Sequence, residues 1–180
     1  IFSCAKKSDT SSTTTTTEVE GTWLTNCFQS GDYYHIHSAT VTGTDVVVKY
    51  EWHTDSGCST DYVMWEDTYD SLSIGDEVTF SDATKGHQFT LNVVNLKLTP
   101  QTASVVSALN TDNSCGYSDW ALNTAKDHTG KTCGSTAYPV ANTSIQGLYN
   151  LVGNNLFIGT LSTTGSYPTV VSTSITYVKQ

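Results

Sequence analysis

Apolar and polar residues alternate along most of the chain from Glu20 onward, and the alternation breaks where turn-forming residues occur. Val46, Val48, Tyr50 and Trp52 occupy one parity and Val47, Lys49 and Glu51 the other, which predicts a strand with one buried face. Gly43-Thr44 before it and Asp55-Ser56-Gly57 after it suit turns. Phe89, Leu91 and Val93 sit on odd positions, but Val94, Leu96 and Leu98 continue on even ones. A β-bulge near Val93 and Val94 accounts for this slip. The same reading predicts strands at 22–28, 33–42, 62–69, 77–81, 147–152, 155–160 and 170–178, about nine in all. Gly153-Asn154 suits a two-residue hairpin turn, because glycine supplies a positive φ at its first position. One segment departs from the pattern: Thr99-Pro100-Gln101-Thr102 followed by 103–109 predicts a short helix capped by Thr99. So many consecutive antiparallel strands predict an all-β fold, either an up-and-down barrel or a sandwich.

Composition narrows the setting. The 180 residues suffice for one domain, expected over 19–180 behind a polar leader over 1–18. The net charge is -9 and all eight basic residues are lysine. That excludes nucleic acid as an expected partner, since phosphates require clustered cations and favour the arginine fork. No apolar run reaches the roughly 18 residues of a membrane-spanning helix.

Ile1-Phe2-Ser3-Cys4 resembles the end of a bacterial lipoprotein signal, with an apolar residue three before the cysteine and a small one directly before it. Cys4 is therefore the candidate for acylation. The Lys6-Lys7 pair and the Ser/Thr run through Thr17 can bury little and suit a solvated tether. Cys27, Cys58, Cys115 and Cys133 match no metal-binding spacing, and disulfides are the better reading. Of three possible connectivities, Cys27 with Cys58 and Cys115 with Cys133 is preferred, because each closes a short loop.

Candidate chemistry is sparse. His35 and His37 lie two apart on a predicted strand and share a face, as a pair of zinc or copper ligands would. No third ligand can be placed, so no metal is assigned, and the alternative is a pair of surface histidines beside Tyr33 and Tyr34. Gly130-Lys131-Thr132 lacks the upstream glycine of a phosphate-binding loop, since position 125 is alanine. Glu66 and Asp67 are adjacent and face opposite sides of a strand, so they cannot pair across a sugar. No catalytic residue and no cofactor are expected. The aromatic residues Tyr50, Trp52, Trp65 and Tyr69 on neighbouring strands are the candidate ligand-binding residues, either as core or as a cavity lining.

Gly21-Thr22-Trp23 is similar to the Gly-x-Trp that opens lipocalin-type barrels. Together with Leu98-Thr99-Pro100, Cys115-Gly116-Tyr117-Ser118-Asp119-Trp120, Lys126-Asp127-His128-Thr129-Gly130, the stretch 148–159 and Tyr167-Pro168-Thr169, it makes the chain resemble small bacterial lipoproteins with lipocalin-like barrels. More distantly the chain resembles the extracellular barrel domain of a family of Wnt inhibitors. The resemblance spans nearly the whole domain. It implies an antiparallel, up-and-down, lipocalin-like barrel of about eight to nine strands with one short helix. It also implies an extracytoplasmic place at a bacterial outer membrane or cell surface. The expected role is to bind a hydrophobic small molecule or lipid, the membrane being reached through acylated Cys4. The alternative is a structural or adhesive surface protein with a filled barrel, contacting a protein or glycan through its loops, above all 114–142.

Overall fold

The computed structural model describes residues 17–79 and 85–180. Cys4 and most of the leader, together with the end of the strand expected at 77–81, lie outside the described residues. Twelve strands are assigned in chain order: β1 Gly21–Thr25, β2 Phe28–Ser30, β3 Tyr33–Thr42, β4 Asp45–His53, β5 Asp61–Thr79, β6 Lys85–Pro100, β7 Lys126–Asp127, β8 Thr132–Cys133, β9 Thr136–Ala137, β10 Ser144–Val152, β11 Asn155–Ile158 and β12 Tyr177–Lys179. One helix, α1 Ala103–Thr111, follows β6.

Eight of these strands close into an antiparallel barrel in the order β1-β12-β11-β10-β6-β5-β4-β3, and β3 pairs back onto β1. Closure removes exposed sheet edges, which are otherwise templates for aggregation. The alternating residues behave as the sequence pattern requires. Val46, Val48, Tyr50 and Trp52 face inward opposite Tyr69, Asp67, Trp65 and Val63, respectively. On the outer face Lys49 pairs with Glu66 at 3.4 Å, and Lys97 reaches the same carboxylate at 3.7 Å. A charged exterior around an apolar interior is the reverse of an outer-membrane barrel, whose lipid-facing side must be apolar.

The expected bulge is present: Thr68 pairs with Asn95 and Tyr69 with Val93, so Val94 is the extra residue and turns outward. The two-residue turns at Gly43-Thr44 and Gly153-Asn154 join β3 to β4 and β10 to β11, each with a glycine at φ 61° in first position. Both disulfides have the preferred pairing, Cys27 with Cys58 and Cys115 with Cys133. Such bridges form and persist in an oxidising, extracytoplasmic setting. Among the described residues no helix is long and apolar enough to cross a membrane.

Three expectations are corrected. The helix is capped by Thr102, whose hydroxyl accepts from the Val105 amide at 3.3 Å, and not by Thr99. Thr99 and Pro100 remain in β6, paired with Met64 and Val63, because their cross-strand partners outcompete an earlier helix start. The strands expected at 62–69 and 77–81 are one strand, β5, kept continuous by irregular pairings near Asp70 and Ile74 and by Ser71 at φ 55°. The strand expected at 170–178 shrinks to Tyr177–Lys179; between β11 and β12 the chain keeps a bridge of Ser162 to Gln146 but forms no further strand. At the boundary of the expected leader, Glu18 accepts a hydrogen bond from the Tyr149 hydroxyl at 2.6 Å.

Two apolar clusters fill different places. The larger surrounds Trp23, Val41, Val93 and Ile145 within the barrel. The Trp23 indole donates to the Val19 carbonyl at 2.8 Å, which pins the entering chain across that end. The smaller cluster joins Val63 and Leu98 of the barrel to Val105 of α1 and to Cys115 and Trp120. The segment around Cys115 and Trp120, expected as an exposed recognition loop, is thus folded onto the barrel. Trp120 and Asn110 hold it there through two backbone-to-side-chain hydrogen bonds of 2.6 and 3.0 Å.

Candidate functional site

Several inward-facing residues, among them Val48, Tyr50, Trp52 and Trp65, keep part of their surface exposed. Their exposure is to the barrel interior, because the strands enclose more volume than the side chains occupy. An apolar cavity of about 290 Å³ lies between Ala39, Val41, Val48, Leu91, Leu156 and their neighbours. A second, of about 280 Å³, lies among Phe28, His35, Trp52 and Trp65. His37, Tyr50 and Ile175 border both and form a waist between them. The segment 159–176 supplies Leu161, Ser172 and Ile175 to these walls, closing the side where β11 ends and β12 has not yet begun.

The two chambers differ chemically. The first is lined mainly by aliphatic side chains, with the hydroxyls of Tyr50, Tyr69 and Tyr177 reaching its wall. The second is a cluster of rings: Trp52 lies 4.6 Å from Trp65 and 4.8 Å from His35, and Phe28 lies 5.0 Å from His37 in an edge-on contact. These spacings fall within the range of favourable aromatic pairing.

Some polar groups inside the barrel pair with one another. The Tyr69 hydroxyl donates to Asp67 at 3.1 Å. Burial pushes the Asp67 carboxyl up to about 6, and the bond from Tyr69 offsets this only in part. Burial also raises Tyr50 and Tyr69 well above the ordinary tyrosine range, with Asp67 adding to both. Tyr177 is pushed up to about 12 by burial. The His37 imidazole, 3.3 Å from the Tyr177 hydroxyl through Nδ1, is pushed down to about 4, first by burial and then by His35. It is therefore neutral at physiological pH, as is each of these tyrosines.

All four candidate ligand-binding residues face this interior. Tyr50 stands at the waist, Tyr69 on the aliphatic chamber, and Trp52 and Trp65 on the aromatic one. His35 and His37 do share a face, 5.9 Å apart between ring centroids. They point into the barrel, so the surface reading is overturned: β3 turns its odd-numbered side chains inward once it pairs with both β1 and β4. Among the described residues no three histidine, cysteine or acidic side chains come close enough to hold a metal ion. Glu66 and Asp67 do face opposite sides, but Asp67 was passed over as a site residue. The available signal was parity, since Val63, Trp65, Asp67 and Tyr69 lie on one face and only one of them is charged.

No family model matches this chain, and no curated protein matches it in sequence.

Proposed function

We propose that this protein is a lipid-anchored, extracytoplasmic binding module of the bacterial cell envelope, related to lipocalin-like lipoproteins, that holds a hydrophobic small molecule or acyl chain in its barrel. It acts by binding and not by catalysis. The observation that carries the reading is the apolar cavity of about 290 Å³ behind Ala39, Val48 and Leu91. The cavity is partly open, which leaves a way in for an occupant, and concave sites with such an apolar lining are where small apolar ligands bind.

The proposed anchor complements this site. Acyl chains on Cys4 gain about 0.8 kcal/mol per buried methylene, so more than one chain gives durable attachment. The filled interior required by the adhesive reading is not supported by two chambers of this volume.

Native mass spectrometry of protein purified from its own host is expected to show a retained hydrophobic adduct, and emptied protein is expected to take up the neutral fluorescent probe N-phenyl-1-naphthylamine. Protein that is always empty and that never takes up the probe would defeat the proposal. Cys4→Ser protein is expected to leave the membrane fraction; if it stays, the anchor is wrong.

A further inference from the structure

The charge inside the barrel says more about the occupant than its apolarity does. The described lysines, Lys49, Lys85, Lys97, Lys126, Lys131 and Lys179, border neither chamber, and the chain contains no arginine. Of the two interior histidines, His37 carries no charge at neutral pH. An anionic head group would therefore find neither lysine nor arginine beside it to offset its desolvation. Asp67, in contrast, stands on β5 between Trp65 of the aromatic chamber and Tyr69 of the aliphatic one. Its carboxylate accepts a hydrogen bond at 3.1 Å from the hydroxyl of Tyr69, a residue of the aliphatic chamber's wall.

Ring faces attract cations through their quadrupole, most strongly in tryptophan. Trp52, Trp65, Tyr50 and Phe28 gather around one chamber, the inward-facing Asp67 follows Trp65 on the same face of β5, and the adjoining chamber is lined mainly by aliphatic side chains. We infer that the occupant is a cationic amphiphile, its alkyl tail in the aliphatic chamber and its ammonium head among the rings of Trp52 and Trp65 beside Asp67. This rests on the binding reading above and specifies the ligand class. The waist of His37, Tyr50 and Ile175 marks the change from tail to head. Specificity comes as much from rejecting carboxylate heads as from attracting ammonium ones.

Three ligands of equal chain length separate the terms: dodecyltrimethylammonium, dodecanol and dodecanoate, each used below micelle formation to displace bound N-phenyl-1-naphthylamine at neutral pH. The ammonium ligand is expected to bind at least about tenfold more tightly than dodecanoate, with dodecanol between them, as one or two kcal/mol of cation–π and charge attraction implies. Asp67→Asn, which keeps the side chain's shape, is expected to shrink the ammonium-to-dodecanol affinity ratio several-fold. Trp65→Leu is expected to do the same. If Trp65→Leu fails to fold, the isosteric Asp67 variant and the wild-type ranking still decide the matter. Equal binding of dodecanoate and the ammonium ligand, or a ratio unchanged in Asp67→Asn, would overturn the ligand class while leaving hydrophobic binding intact. Probe binding that no amphiphile can displace would also overturn it, whereas absence of probe binding altogether would remove the binding reading itself.

Discussion

The two halves of the barrel interior share walls from β3, β4 and β5 and have nearly equal volumes, yet they are made differently. One is walled by small and branched side chains such as Ala39, Val41, Val46 and Val48, and is plugged by the entering chain at Val19 and Trp23. The other is walled by Tyr50, Trp52, Trp65 and Phe28 and lies toward the end of the barrel covered by α1 and the segment held by Cys115 and Cys133. A void among small side chains follows from a lack of atoms. A void among large rings requires that something else hold the rings apart and fixed. The lesson is that the aromatic half depends on its added cover and the aliphatic half does not.

The strongest way to break the comparison is to remove that cover's staple. Cys115→Ala with Cys133→Ala should lower unfolding free energy by about 3 kcal/mol, as expected for an 18-residue separation. Chemical denaturation measures this. Binding of the ammonium ligand should weaken more than uptake of the neutral probe, and an equal loss would show that the halves are not independent.

Ala39→Trp addresses the aliphatic half alone. The indole has the neighbouring cavity of about 290 Å³ to enter, so the melting temperature should change little while probe affinity falls by about a hundredfold or more. Retained probe binding would place the occupant elsewhere.

Gly147→Ala acts on the same half through packing. The tip of the Phe89 ring occupies the place of a Gly147 Cβ on the neighbouring strand, so a Cβ there would collide with it. The ring can move only into the cavity, so a loss of about 2 kcal/mol together with weaker probe binding is expected. Phe89→Leu in the same background should recover part of both, as a thermal melt and a probe titration would show.

The smallest effect concerns the waist. Asp67 titrates at about 6 in the folded chain against 3.8 ordinarily, so stability falls as pH rises across that window. His37 titrates at about 4 against 6.5, so stability falls as pH drops across its window. The two slopes oppose each other between pH 4 and 6. Relative to wild type, Asp67→Asn should therefore gain stability with rising pH, and His37→Phe should lose it. Each difference should be on the order of 1–2 kcal/mol, since neither group is fully buried. Melting temperatures at several pH values, compared between variants, would detect the tilt, and parallel profiles would contradict it.

Much of the fold was legible from local pattern. The parity of residues 46–52 set one face of β4, the slip at Val93 and Val94 marked a bulge, and Gly153-Asn154 marked a hairpin. The misreadings occur where a distant partner overrode the local signal. Thr99 and Pro100 look like a helix start but are held in the sheet by Met64 and Val63. Val170 to Thr176 look like a strand, but β11 ends at Ile158, and a single bond from the Ser172 amide to the Ile158 carbonyl at 3.2 Å does not make a ladder. His35 and His37 look exposed because polar residues usually are, and only closure of β3 between β1 and β4 turns them inward.

The sequence by itself therefore determined the strands, their two faces and the aromatic residues worth watching, because a period of two is a property of the extended backbone and needs no knowledge of its neighbours. Only the tertiary structure decided that the inner faces leave space, that Asp67 and the histidines share it with the rings, and that the space has two chemically distinct halves. The enclosed volume is the difference between what eight closed strands surround and what all their side chains fill, and no single segment contains that sum.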